Sequence, residues 1–156
     1  MDRIILGDTT PYQWFDVKLL VPKNWRAHYT REEIEEQNLH TQHFYAGQYE
    51  KIPFLMLIHQ AGNFENLVRD PYIYDYISVA MEMIADAKIE AVSATMVGGH
   101  DAFYYALSGG DEGSQILFQQ TVFVDGAGDL YSIALAGDIF CQEDLETIVG
   151  SITVNR

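Results

Sequence analysis

The chain has 156 residues, 48% of them hydrophobic, and 23 acidic residues against 9 basic ones give a net charge of −14. This hydrophobic content excludes general disorder, and the length suits one domain, residues 1–156, with a core of its own. The acidic balance makes nucleic acid and anionic lipid poor partners, and no apolar run approaches the length of a membrane span. The single cysteine, Cys141, excludes an intrachain disulfide and a cysteine-based zinc site. It is expected to be a small core residue rather than a nucleophile, because the sequence places no base beside it.

Taken in order, Arg3–Leu6 reads as a first short strand or an ordered arm, too short in apolar residues for a signal peptide. The chain as written is expected in the cytoplasm, or outside it if an export segment has been removed. Thr9–Tyr12 reads as a turn. Trp14–Val21 reads as one strand, with Phe15, Val17, Leu19 and Val21 inward. Pro22 ends it, and Lys23-Asn24-Trp25 is expected to turn and bury an indole.

Thr30-Arg-Glu-Glu33 fits a capping box and predicts a short exposed helix over Arg31–Gln37, anchored by Ile34. The segment Asn38–Glu50 is polar and aromatic. Its His40 and His43 could ligate a metal if carried on a helix face, with His28 or nearby glutamates completing the set. The plainer reading is a surface loop or strand with ordinary histidines. Phe44, Tyr45 and Tyr49 offer apolar area with a polar handle, which suits a partner-binding surface.

Lys51–His59 is nearly continuous in apolar residues, so both faces are expected to be covered, as in a central strand with Pro53 at its start. Asp70-Pro71 opens the longest helix, since Asp caps well and Pro favours the first helical position. Ile73, Ile77, Ala80, Met81 and Ile84 form its core stripe, widened by Tyr72, Tyr76 and Met83. Ile89–Val97 and Ala102–Leu107 read as strands joined by a turn at Gly98–Asp101.

The clearest stretch follows. Gln115–Val124 and Leu130–Ala136 are strands flanking the turn Asp125-Gly-Ala-Gly-Asp129. The face bearing Ile116, Phe118, Gln120, Val122 and Val124 is the more apolar and is expected to meet the core, away from Leu117, Gln119, Thr121 and Phe123. Asp125 and Asp129 lack the spacing of a calcium-binding helix–loop–helix, so a plain turn accounts for them. A change of period then predicts a helix over Gln142–Val149, with Leu145, Ile148, Val149 and Ile152 at helical spacing, stopped by Gly150.

Four segments together resemble a known superfamily across the whole chain: Phe15-x-Val17-x-x-x-Val21-Pro22-x-x-Trp25, Gly98-Gly-His-Asp-Ala-Phe-Tyr-Tyr105, Leu130-Tyr-Ser-Ile133, and Leu145-x-x-Ile148-x-x-Ser151-Ile152. It is the superfamily of the extrinsic PsbP subunit of photosystem II, the yeast Ran-binding nuclear-import factor and the bacterial DcrB-like proteins. The resemblance implies an α+β fold, an α/β/α sandwich around a central, mainly antiparallel sheet. It also implies a non-enzymatic role in binding proteins or stabilising complexes. It transfers no site residues, since fold does not carry function.

Three functional expectations result. The first is a non-catalytic binding or adaptor protein, without a cofactor, that engages a protein partner through Phe44, Tyr45 and Tyr49 or forms a homodimer. The second is a metal-dependent enzyme built on His40 and His43, with His28 or His59. The third is a sensor holding a small apolar molecule between sheet and helix, lined by Met56, Met81, Met83 and Met96.

Overall fold

The computed structural model describes residues 8–47, 53–62, 64, 70–110, 115–137 and 144–154; the side chains of residues 70–72 are not included. Arg3–Leu6, Tyr49, Cys141 and the start of the final predicted helix lie outside the described residues, as do the capping side chains Asp70 and Pro71. The strands are β1 (Thr9–Trp14), β2 (Val17–Pro22), β3 (Arg26–Ala27), β4 (Thr41–Tyr45), β5 (Phe54–Gln60), β6 (Lys88–Val97), β7 (His100–Gly109), β8 (Ile116–Val124), β9 (Leu130–Gly137) and β10 (Thr153–Val154). The helices are α1 (Arg31–Gln37), α2 (Asp70–Glu82) and α3 (Asp144–Gly150).

Seven strands form one antiparallel sheet in the order β3-β4-β5-β9-β8-β7-β6, and β1-β2-β10 form a second, smaller sheet. This is an α+β fold with a mainly antiparallel sheet. Helix α2 covers one face of the large sheet, where Ile73 and Ile77 pack on Phe103, Tyr105, Leu107 and Val122. The small sheet covers the other face together with α1 and α3, through Trp14, Val17, Leu19, Ile34, Leu145 and Ile148. Both faces of β8 and β9 are therefore buried. The expected core face of β8 meets α2, while Leu117 and Phe123 on its other face enter the larger core.

Local signals fixed several elements. The Thr30 hydroxyl accepts the Glu33 amide at 3.1 Å and the Glu33 carboxylate accepts the Thr30 amide at 3.0 Å, which completes the capping box of α1. Gly98 and Gly99, with φ of 55° and 85°, form the two-residue turn that pairs Val97 with His100. Positive φ at both central positions is the geometry that a right-twisted hairpin selects.

The N-terminal region differs from expectation. Thr9–Tyr12 is strand, not turn, and Trp14–Val21 is broken at Phe15-Asp16 into a tight hairpin. Pro11 is tolerated because β1 is an edge strand, where a missing amide breaks no ladder. The fully buried indole is Trp14, at 2% exposure, while Trp25 is half-buried. Val17, Leu19 and Val21 face inward as expected.

Candidate functional site

Alternation along each strand sends every second side chain toward α2. On that face the paired strands line up three rows across the sheet. Ser132 lies between Ile58 and Val122, Ala134 between Met56 and Gln120, and Ala136 between Phe54 and Phe118. Strand β9 thus lays a row of small side chains between two rows of bulky ones. The result is a trough along β9. Helix α2 packs over β7 and β8, so it leaves the trough unfilled.

A cavity of about 970 Å³ occupies this space. Phe54, Met56 and Ile58 line it from β5, Phe118 from β8, and Tyr76 and Ala80 from α2. Val79 and Met83 also line it but are 63% and 82% exposed, so they mark its mouth. Phe54, Met56 and Ile58 are only half-buried, although β5 is a central strand as expected.

Polar groups in the wall are few. The Tyr105 hydroxyl donates to Gln120 Oε1, and Gln120 Nε2 donates to Ser132 Oγ. Burial raises the Tyr105 phenol above its ordinary pKa, and Tyr76 adds to the shift; burial alone raises Tyr76. Both phenols are therefore neutral at physiological pH. His43 and Asp75 also line the cavity. The arrangement can hold an elongated apolar body and offer a small number of hydrogen bonds, which is the usual constitution of a small-molecule site.

A second polar region lies at the other end of β5 and β9. His40 Nδ1 meets His59 Nδ1 at 3.0 Å, and His59 Nε2 meets Asp129 Oδ2 at 2.9 Å. In the tautomer that carries its ring proton on Nε2 and donates it to Asp129, His59 offers Nδ1 as the acceptor for His40 Nδ1. Phe15 stacks on both rings, at 3.9 Å from His59 and 5.0 Å from His40 between centroids. Its φ of 54° is unusual for a bulky residue and holds the ring over this pair. The Asp16 amide donates to the Tyr131 hydroxyl at 3.0 Å. Burial pushes the Tyr131 phenol up to about 12; the Asp16 amide opposes this shift, and the charges of Asp16, Asp125 and Asp129 reinforce it.

The structure does not bring His40 and His43 together. They flank and enter a strand, where residues three apart point to opposite faces. His43 lines the cavity, and its ring lies 6.1 Å from that of His28, while His40 joins His59. Phe44 is buried against Tyr12 in the larger core, and Tyr45 is buried at the cavity wall. Of the four methionines expected to line a pocket between sheet and helix, Met56 and Met83 do so, Met81 on α2 packs instead against the cluster around Ile77 and Phe103, and Met96 is 62% exposed on β6. The signal for the trough was present as Ser132-x-Ala134-x-Ala136, but its meaning required the pairing of β9 with β5 and β8.

Solved structures share this fold along nearly the whole chain. Cyanobacterial PsbP from Synechocystis sp. PCC 6803 superimposes with a TM-score of 0.59 at 13% identity, covering 99% of this chain and 96% of that one. The fold is PsbP-like. LpqN, involved in cell envelope biogenesis of Mycobacterium tuberculosis, superimposes with a TM-score of 0.56 at 15% identity over 96% of this chain and 91% of its own. A protein from Bacteroides thetaiotaomicron VPI-5482 matches with a TM-score of 0.59 at 11% identity over 97% of this chain; the chain spans 50% of that protein's length. No protein-family model matches the sequence, and no curated protein does. At these identities the likeness concerns the fold alone. No helix among the described residues is long and apolar enough to cross a membrane.

Proposed function

We propose that the protein is a non-catalytic binding protein that holds an elongated apolar molecule, of the acyl-chain class, between α2 and the seven-stranded sheet. The observation that carries this reading is the trough along β9, roofed by α2 and opening beside Val79 and Met83. Its volume, about 970 Å³, lies at the upper end of ordinary small-molecule sites. The Tyr105–Gln120–Ser132 chain provides the fixed polar point against which one end of such a ligand registers. The test is saturable binding of a fluorescent fatty acid, with native mass spectrometry of the untreated protein for a retained ligand. Ala136→Phe fills the trough and should abolish both signals. Absence of both from the wild type, or equal signals in the variant, would sink the reading.

A protein partner remains the second reading, with its surface placed on β6. This ten-residue strand ends the large sheet, is exposed along nearly its whole length, and presents Ile89, Val92 and Met96. Such an edge is a template for an added strand, from a second copy or another chain. Sedimentation of the wild type beside Val92→Lys would test the homodimer form. A monomer at all concentrations would remove it.

A further inference from the structure

We propose that Asp16, Asp125 and Asp129 bind one hard divalent cation of the calcium class. The three residues come from two separate hairpins. Asp16 sits at the tip of β1-β2, and Asp125 and Asp129 bound the loop between β8 and β9. Docking of the small sheet on the large one brings one carboxylate oxygen from each within 4.8 Å of the others. That spacing suits oxygens gathered on one ion at the roughly 2.3–2.6 Å of calcium ligation.

The independent observation is Asp125. It is 4% exposed. Its Oδ1 accepts the Ala127 amide at 2.9 Å and the Asp129 amide at 3.0 Å, which fixes the carboxylate within the loop. Its Oδ2 is buried and has no hydrogen-bond partner. A buried carboxylate oxygen with nothing to accept is costly, and a cation shared with Asp16 and Asp129 would satisfy it. The other two ligands are held in place. The Tyr131 hydroxyl anchors the backbone of Asp16, and His59 Nε2 grips Asp129 Oδ2, the kind of outer contact that orients a ligating group. All three donors are carboxylates, which favours hard cations over thiophilic metals. Assembly from two hairpins also explains why the loop lacks a linear calcium-binding spacing.

The experiment uses the full chain after chelator treatment. Tb3+ luminescence is excited through aromatic residues, with Tyr131 hydrogen-bonded to the Asp16 amide at the site. The expected result is a saturable signal at a single equivalent, displaced by CaCl2, with a CaCl2-dependent rise in Tm that NaCl at equal ionic strength does not reproduce. Asp125→Asn should weaken Tb3+ binding by at least about tenfold, and Glu36→Gln on the exposed face of α1 should leave it unchanged. Asp16→Asn gives the same readout from the small hairpin if the loop variant does not fold. Non-saturable binding, failure of CaCl2 to displace Tb3+, or wild-type binding in both aspartate variants would overturn the site.

Discussion

The two faces of the seven-stranded sheet are made by alternate residues of the same strands, yet one is filled throughout and the other, packed under α2 at β7 and β8, is hollow beside β5 and the end of β9. On the filled face Leu55, Leu57, Phe123, Tyr131 and Leu135 are all fully buried, and Phe123 stacks on Tyr131 at 5.3 Å. On the hollow face Phe54, Met56 and Ile58 stay half-buried beside Ser132, Ala134 and Ala136. The filled face is closed by elements from both ends of the chain, the β1-β2 hairpin and α3. The hollow face is roofed by α2, which sits over β7 and β8. Two-residue periodicity lets a strand carry a stability face and a binding face without conflict.

The largest expected effect breaks the filled face. Phe123→Ala leaves a cavity among rigid neighbours and should cost about 3–5 kcal/mol. Met56→Ala removes a side chain that already borders open space, so its cost should stay below about 1 kcal/mol. Urea midpoints at constant m-value compare the two. Equal losses would mean that the hollow face is packed as tightly as the other.

The next effect is alkaline. Tyr131 is neutral in the fold and held up to about 12, whereas an unfolded tyrosine ionises near pH 10. Above about pH 10 the unfolded state releases a proton that the fold retains, so stability falls as pH rises and the loss is complete near about pH 12. The full loss is on the order of 2 kcal/mol. Urea unfolding of the wild type and Tyr131→Phe at about pH 9 and about pH 11.5 measures it, and the variant should show the smaller decline. Parallel declines would mean that Tyr131 ionises freely in the fold.

Features set by neighbours in sequence were legible. The capping box at Thr30, the Gly98-Gly99 turn, the apolar stripe of α2 and the β8-β9 hairpin each rest on residues a few positions apart. Features set by pairing distant segments were not. Pro11 reads as a turn unless β1 is known to be an edge. His40 and His43 look like a ligand pair only if a helix carries them, and a strand sends them to separate faces. The trough needs Phe54 beside Ala136, and the acidic cluster needs Asp16 beside Asp125; hydrophobic patterning within each segment is blind to both.

A third prediction concerns the end of the roof. The Gly110 amide donates to the Ala85 carbonyl at 2.8 Å, which ties the turn after α2 to the end of β7. A Cβ on Gly109 would lie 2.6 Å from that same carbonyl oxygen and 2.7 Å from Ile84 Cγ2. Backbone cannot move aside as a side-chain tip can, so Gly109→Ala should cost about 1 kcal/mol or more. It should also loosen α2 and alter binding of the apolar probe. An unchanged Tm with unchanged probe affinity would show that the contact relaxes freely.

The smallest expected effect, that of Ala136→Leu, gives the sharpest test of the comparison when the same substitution is made on the other face. Ala136 and Ala106 are each 2% exposed, so burial alone predicts the same response. Ala106 belongs to the filled core, where three extra carbons must displace neighbours, and Ala106→Leu should cost about 1–3 kcal/mol. Ala136 borders the cavity between Phe54 and Phe118. There a leucine side chain enters existing space and gains contacts, so Ala136→Leu should change stability by less than about 1 kcal/mol in either direction. Probe binding should respond in the opposite order, weakened by Ala136→Leu and unaffected by Ala106→Leu in the folded fraction. A stability loss at Ala136 equal to that at Ala106 would mean that the trough closes in solution, and the division between a filled and a hollow face would fall with it.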